Sequence, residues 1–178
     1  MSALAVGQTA PAFERRPVFG LSQRVPAAGG RSVALFFSRP LGCPLTVELL
    51  LRIERRLETF ELREVQPLLL CRSSLAEARD RVARRHVLVP VLLDPDGELF
   101  TRYGVDSMPR EHSRAGTFAR VGEALGLLLR HGQGRHEGPL GQRFAAFLVG
   151  GDGLLLRCWR GGDPLELPDP LALLEGAP

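Results

Sequence analysis

The chain has no lysine and no asparagine among its 178 residues, so all 23 basic side chains of the Lys/Arg class are arginine. Both absences fit the composition of a GC-rich genome better than a demand for phosphate binding. Aromatic residues are scarce at 6%, whereas a nucleic-acid surface needs stacking rings beside a stripe of one charge sign. Here acidic residues interleave with the arginines, as in RIERRLETFELRE (52–64) and AEARDRVARRH (76–86). That is the pattern of solvated helix faces with opposite charges three or four apart. The net charge of +3 and pI of about 9.2 are therefore read as surface charge, and no nucleic-acid partner is expected. No apolar run reaches the roughly 20 residues of a membrane span. The opening MSALAVGQTAPAF lacks the basic and apolar regions of a signal peptide. A cytoplasmic setting without membrane contact is expected, where thiols stay reduced.

Cysteine is also sparse. Cys43, Cys71 and Cys158 lie far apart, with no Cys-x-x-Cys and no zinc-ligand pair, and His86, His112, His131 and His136 do not complete one. Neither a metal nor a cofactor is expected. The stretch SRPLGCPLTVE (38–48) has the Cys-x-x-Cys spacing with Thr46 in the second place.

What is present alternates in type. SVALFFS (32–38) reads as a buried strand of a mostly parallel sheet. Pro44 suits a first helical position, and Leu49, Leu50, Ile53, Leu57 and Phe60 form one apolar helix face. Glu48, Arg52, Glu54, Arg55 and Glu58 fill the outer face. VQPLLLC (65–71) is a second strand, and Ser74 with Glu77 a capping box whose helix turns Leu75, Ala78, Val82 and His86 inward. VLVPVLLD (87–94) is a third strand, with an irregular entry at Pro90, and DPDG (94–97) a turn. A loop over 103–116 precedes a helix over Phe118–His131 that turns Phe118, Val121, Leu125, Leu128 and Leu129 inward. The Gly-rich stretch at 132–142 is expected to be exposed. FAAFLV (144–149) and LLLRCW (154–159) flank a Gly-containing turn and make a β-hairpin. Asp169 caps a terminal helix with Pro170 at its first position. The length fits a single domain over 1–178 with a full core, and the element order fits an α/β sheet with right-handed crossovers.

A parallel α/β sheet reacts at the carboxyl ends of its strands. Cys43 falls just past such an end and just before a helix, whose N-terminus favours a thiolate. Arg39 is close enough in sequence to add positive charge. The competing reading is an inert, packed thiol.

Four stretches in this order, VGQTAPAF, VALFFSRPLGCP, VPVLLDPDGELFTRYGV and AAFLVGGDGLLLRCWRGG, resemble the alkyl hydroperoxide reductase/thiol-specific antioxidant (peroxiredoxin-like) family of the thioredoxin-fold superfamily. The resemblance implies a thioredoxin-like α/β fold, a central mixed sheet with flanking helices and a late β-hairpin. It implies a thiol-dependent oxidoreductase, an antioxidant peroxidase or a disulfide-exchange enzyme, with Cys43 as nucleophile. In the Cys-Pro-x-Cys pattern of thioredoxin-like relatives Cys43 would be the attacking cysteine. Thr46 would stand where the peroxidatic cysteine usually stands and help stabilise the Cys43 thiolate as a catalytic residue; the family's usual Pro-x-x-x-Thr-x-x-Cys pattern is absent. Arg143 stands near the place of the family's active-site arginine; the other reading is a solvated arginine. Arg39 and Pro44 would support the thiolate. Cys71 is a candidate resolving cysteine or a packed core thiol, and Cys158 is structural. The implied partners are a small peroxide or disulfide substrate and an external thiol reductant, with a homodimer as the implied assembly. The alternative is a non-catalytic thioredoxin-fold interaction or regulatory module.

Overall fold

The computed structural model describes residues 4–105, 117–134, 141–163 and 165–175. Five strands form the central sheet: β3 (Ser32–Phe37), β4 (Val65–Cys71), β5 (Val91–Leu93), β6 (Ala145–Val149) and β7 (Leu155–Arg160), in the order β5-β4-β3-β6-β7. β3 runs parallel to β4, and β4 to β5; β6 lies antiparallel to both β3 and β7. This is the mixed sheet with a late hairpin that the sequence implied. A short antiparallel pair, β1 (Phe13–Arg15) and β2 (Gln23–Val25), precedes it and carries no period-2 signal long enough to be read in advance.

All six residues of β3 are buried because both faces of the sheet are covered. Ala34 and Phe36 join one apolar cluster with Leu49, Ile53, Phe60 and Leu69. Val33, Leu35 and Phe37 join the other with Phe100, Tyr103 and Phe147. A continuous apolar strand is the expected signature of such two-sided burial. On the second face the hydroxyl of buried Tyr103 donates to the carbonyl of Pro11 at 2.9 Å, and burial pushes its pKa upward.

The helices are α1 (Pro44–Glu54), α2 (Leu57–Leu62), α3 (Leu75–Ala83), α4 (Glu98–Arg102), α5 (Thr117–His131) and α6 (Pro170–Leu174). Several expectations need correction. The helix after Pro44 breaks at Arg56, whose φ/ψ of −115°/8° leaves the helical region. The break swings Phe60 back to an edge-on contact with Phe36 at 6.2 Å between centroids. Ser74 does cap α3 by accepting from the Glu77 N–H, and Ala78 and Val82 do turn inward. Leu75 is exposed, however, and His86 lies beyond the helix at φ 50° on the surface. The third strand begins only after Pro90, and α4 follows its turn directly. Leu125 and Leu129 of α5 point outward, while Leu127 packs on the first cluster. The side chains of Phe118 and Val121, the loop from 106 to 116 with His112, and His136 lie outside the described residues. Gln142, at the end of the Gly-rich stretch, is buried rather than exposed. Among the described residues no helix is long and apolar enough to cross a membrane.

Candidate active site

Cys43 is the N-cap of α1, in extended conformation at φ −81°, ψ 126°, and half-buried against the first apolar cluster. Its carbonyl accepts from the N–H groups of Thr46 at 3.1 Å and Val47 at 3.2 Å. Pro44 has no N–H to offer, and the Leu45 N–H makes no hydrogen bond among the described residues. One backbone donor thus remains unspent at the positive end of the helix, beside the thiol-bearing residue.

The loop leading to Cys43 is tied at every step. Ser38 donates its N–H to the carbonyl of Leu70 at 2.8 Å. The Leu41 N–H donates to Ser73 Oγ at 2.7 Å, which binds the loop to the segment just after β4. The Cys43 N–H donates to the carbonyl of Pro40 at 2.9 Å, and the Gly42 carbonyl accepts from the Gly134 N–H at 3.0 Å. Thr46 is wholly buried, and its hydroxyl donates to the Arg39 carbonyl at 3.1 Å. Its hydroxyl thus closes the first turn of α1 onto the loop.

The pairing of β6 with β3 brings Arg39 and Arg143 to the same end of the sheet. Phe37 pairs with Ala145, so residues 142–144 run beside the loop that follows β3. Arg39 Nε donates to the Gln142 carbonyl at 2.9 Å, and its guanidinium lies 5.7 Å from the Phe144 ring centroid. Arg143 follows Gln142 directly, and its Nε is buried with no hydrogen-bond partner among the described residues. Arg143 as a whole is partly exposed: its buried Nε has hydrogen-bonding capacity left over, while the rest of the side chain reaches toward solvent. Cys71 ends β4 fully buried in the same cluster that Cys43 packs against. Cys158 is half-buried in β7, packed against the opposite cluster.

Two functional-looking residues escaped the sequence reading. Glu48, assigned there to the outer face, has a side chain only 7% exposed. It accepts from Arg52 Nε at 2.9 Å and contacts His131 Nε2 at 3.1 Å. Burial would raise the Glu48 pKa, but the hydrogen bonds from Arg52 and His131 and the charges of Arg52 and Arg55 outweigh it and hold the pKa below its ordinary 4.5. The visible signal was PLTVELLL, in which Glu48 is the lone charge across two turns. A helix so apolar all round is covered on more than one side, and α5 supplies the second cover.

The sign of that shift sets a pH dependence. A carboxylate with a depressed folded pKa stabilises the fold above its unfolded value and loses that contribution as pH falls through the folded value. Glu48→Gln is expected to lower stability at neutral pH by about 1–3 kcal/mol. The gap to wild type should narrow as the pH drops below 4.5. Urea denaturation at a series of pH values checks this, and a gap constant down to strong acid would contradict it.

The profile of the AhpC/TSA family matches residues 6–120, more than half of the 178 residues. The chain belongs to the AhpC/TSA family. The fold of this AhpC/TSA chain is shared with solved structures of low sequence identity. Peroxidoxin BcpB from Mycobacterium tuberculosis superposes with a TM-score of 0.65 at 16% identity, covering 94% of this chain and 90% of that one. A peroxiredoxin-like protein from Aquifex aeolicus gives 0.69 at 14% identity, over 98% and 86% of the two chains. The thiol peroxidase from Chromobacterium violaceum gives 0.68 at 11% identity, over 98% and 86%. No curated protein matches the chain significantly. The AhpC/TSA assignment agrees with the thioredoxin-like fold implied by the sequence. Cysteine-dependent peroxide reduction or disulfide exchange is consistent with it.

Proposed function

We propose that the chain is a thiol-dependent oxidoreductase in which Cys43 is the nucleophile. The observation that carries this reading is the placement of Cys43 as a half-buried N-cap residue at the carboxyl end of β3, with an unspent backbone donor beside it. With a peroxide, the Cys43 thiolate attacks one oxygen and the O–O bond breaks. Cys43 becomes a sulfenic acid, and the departing oxyanion takes a proton to leave as alcohol or water. The Leu45 N–H and the unspent Nε of Arg143 are the donors proposed to receive the developing charge. Thr46, Arg39 and Pro44 act by holding the loop and the helix start. An external thiol then attacks the sulfenic sulfur, releasing water and leaving a mixed disulfide. A second thiol frees Cys43 and carries the disulfide away. With a disulfide substrate, Cys43 attacks a sulfur directly and the same exchange follows.

Cys71 is the internal candidate for resolution, but its complete burial requires the Cys43 loop or the end of β4 to open first. This favours the external thiol. A single domain, a cytoplasmic setting and a homodimer complete the proposal.

Hydrogen peroxide followed by a sulfenic-acid trap is the test. A dimedone adduct is expected on Cys43, located by peptide mass spectrometry, and not on Cys158. If Cys43 is alkylated by iodoacetamide yet neither gains an adduct from peroxide nor forms a mixed disulfide with a small disulfide, the non-catalytic module is the reading that stands.

A further inference from the structure

We propose that His131 and Glu48 are positioning residues for Cys43, acting through the chain that leaves α5. The proposal rests on the reading of Cys43 as the nucleophile and adds how its peptide is held in place.

The two side chains are 6% and 7% exposed and meet at 3.1 Å. An ionised carboxylate only accepts hydrogen bonds, so His131 Nε2 is the donor. Taking such a pair out of water is costly and is a weak source of net stability. Its place in the fold is therefore the more informative property. Glu48 stands on the helix that Cys43 caps, and His131 is the last residue of α5.

From His131 the chain is fastened step by step toward the thiol. Arg85 reaches across from the end of α3 to the His131 carbonyl at 3.4 Å. Gly134 then lies against the Glu77–Arg81 ion pair so closely that an added Cβ would overlap Arg81 Nη2 and Glu77 Oε1. A larger residue there would have to push the ends of these two side chains aside. The next contact is the Gly134 N–H with the Gly42 carbonyl.

That carbonyl and the Cys43 N–H belong to one planar peptide unit. The N–H is held by Pro40 on one side and the carbonyl by Gly134 on the other. The orientation of this plane sets the direction in which the Cys43 side chain leaves the backbone. The loop's own turn supplies one of the two restraints. The other comes from α5, and the His131–Glu48 bond fixes where α5 ends. Loss of that bond frees one side of the peptide without altering a side chain of either apolar cluster.

The test compares His131→Ala and His131→Gln, the latter keeping a side-chain N–H for Glu48, by three readouts. The first is hydrogen exchange at the Gly134 and Cys43 amides. Protection should be lost in His131→Ala and largely regained in His131→Gln. The second is the rate of Cys43 oxidation by hydrogen peroxide, expected to fall about 10-fold or more in His131→Ala, since small misplacements of reacting groups cost rate steeply. The third is alkylation of Cys43 by iodoacetamide, which has looser geometric demands and should stay within about 2-fold or rise. Amide protection unchanged in His131→Ala overturns the proposal, as does a loss of peroxide rate matched by an equal loss of alkylation rate. If wild-type Cys43 does not react with peroxide, the nucleophile reading fails by itself. The exchange data then decide on the clasp alone, which stands if His131→Ala loses the two protected amides and falls if it keeps them.

Discussion

Cys43→Ser should reduce peroxide turnover to the uncatalysed background, a fall on the order of 10³-fold or more if the covalent step carries the reaction. Serine is nearly isosteric, so the fold and the loop bonds around position 43 should persist. Those bonds are made by the backbone of residue 43, not by its sulfur. The loss would then report chemistry rather than unfolding. Two companion variants locate the rest of the cycle. Cys158→Ser changes a thiol packed against the other face of the sheet and should turn over at the wild-type rate. Cys71→Ser separates the two routes of resolution. If an external thiol resolves the sulfenic acid, turnover with that thiol in excess is retained. If Cys71 resolves it, turnover stalls after the first oxidation and Cys43 becomes prone to overoxidation at high peroxide. Turnover of Cys43→Ser equal to wild type would remove Cys43 from the mechanism. The assay is peroxide consumption with a monothiol and a dithiol as alternative reductants.

Much of this arrangement was legible beforehand because it is local. β4 runs from Val65 to Cys71, as the apolar run VQPLLLC marks it. The N-caps at Ser74 and Asp169 are signalled by one side chain and the residues just after it. The position of Cys43 follows from an apolar strand, a tight turn and a proline suited to a first helical turn. What escaped depends on partners distant in sequence. Glu48 looks like a solvated member of a charged series until α5, more than eighty residues later in the chain by the separation of its contact with His131, covers it. Leu125 and Leu129 fit an inward face by period, yet α5 rests on α1 through a neighbouring stripe, and no periodicity states which stripe of an amphipathic helix meets its partner. Arg143 could be placed near the site only by resemblance. That its Nε is buried without a partner among the described residues depends on the register of β6 against β3. The break at Arg56 likewise has no glycine or proline to announce it; the packing of Phe60 on Phe36 decides it.

Phe37→Ala is expected to cost about 3–5 kcal/mol of stability, in the range for deleting a buried phenylalanine from a core. Phe37 is fully buried, and its ring centroid lies 5.0 Å from Phe100, 5.1 Å from Tyr103 and 5.5 Å from Phe147. The contacts with Phe100 and Phe147 are edge-on, the arrangement in which aromatic pairs add to simple burial. The remaining rings are held elsewhere and cannot readily close the gap. Tyr103 is tethered through its hydroxyl to Pro11, and Phe147 lies in a central strand. Such a loss is a large part of the roughly 5–15 kcal/mol available to a folded domain and should lower the urea midpoint sharply without changing the slope of the transition. The position also makes the variant informative about function. Phe37 faces the cluster opposite the one that Cys43 packs against. The molecules that remain folded should therefore keep a Cys43 oxidation rate within about 3-fold of wild type, the margin that a small displacement of the loop after β3 allows. Phe36→Ala, one residue earlier and on the Cys43 face, should impair both. A stability loss under about 1 kcal/mol for Phe37→Ala would mean that the cavity collapses, and an equal loss of reactivity from the two variants would mean that the two faces of the sheet are not independent supports of the site.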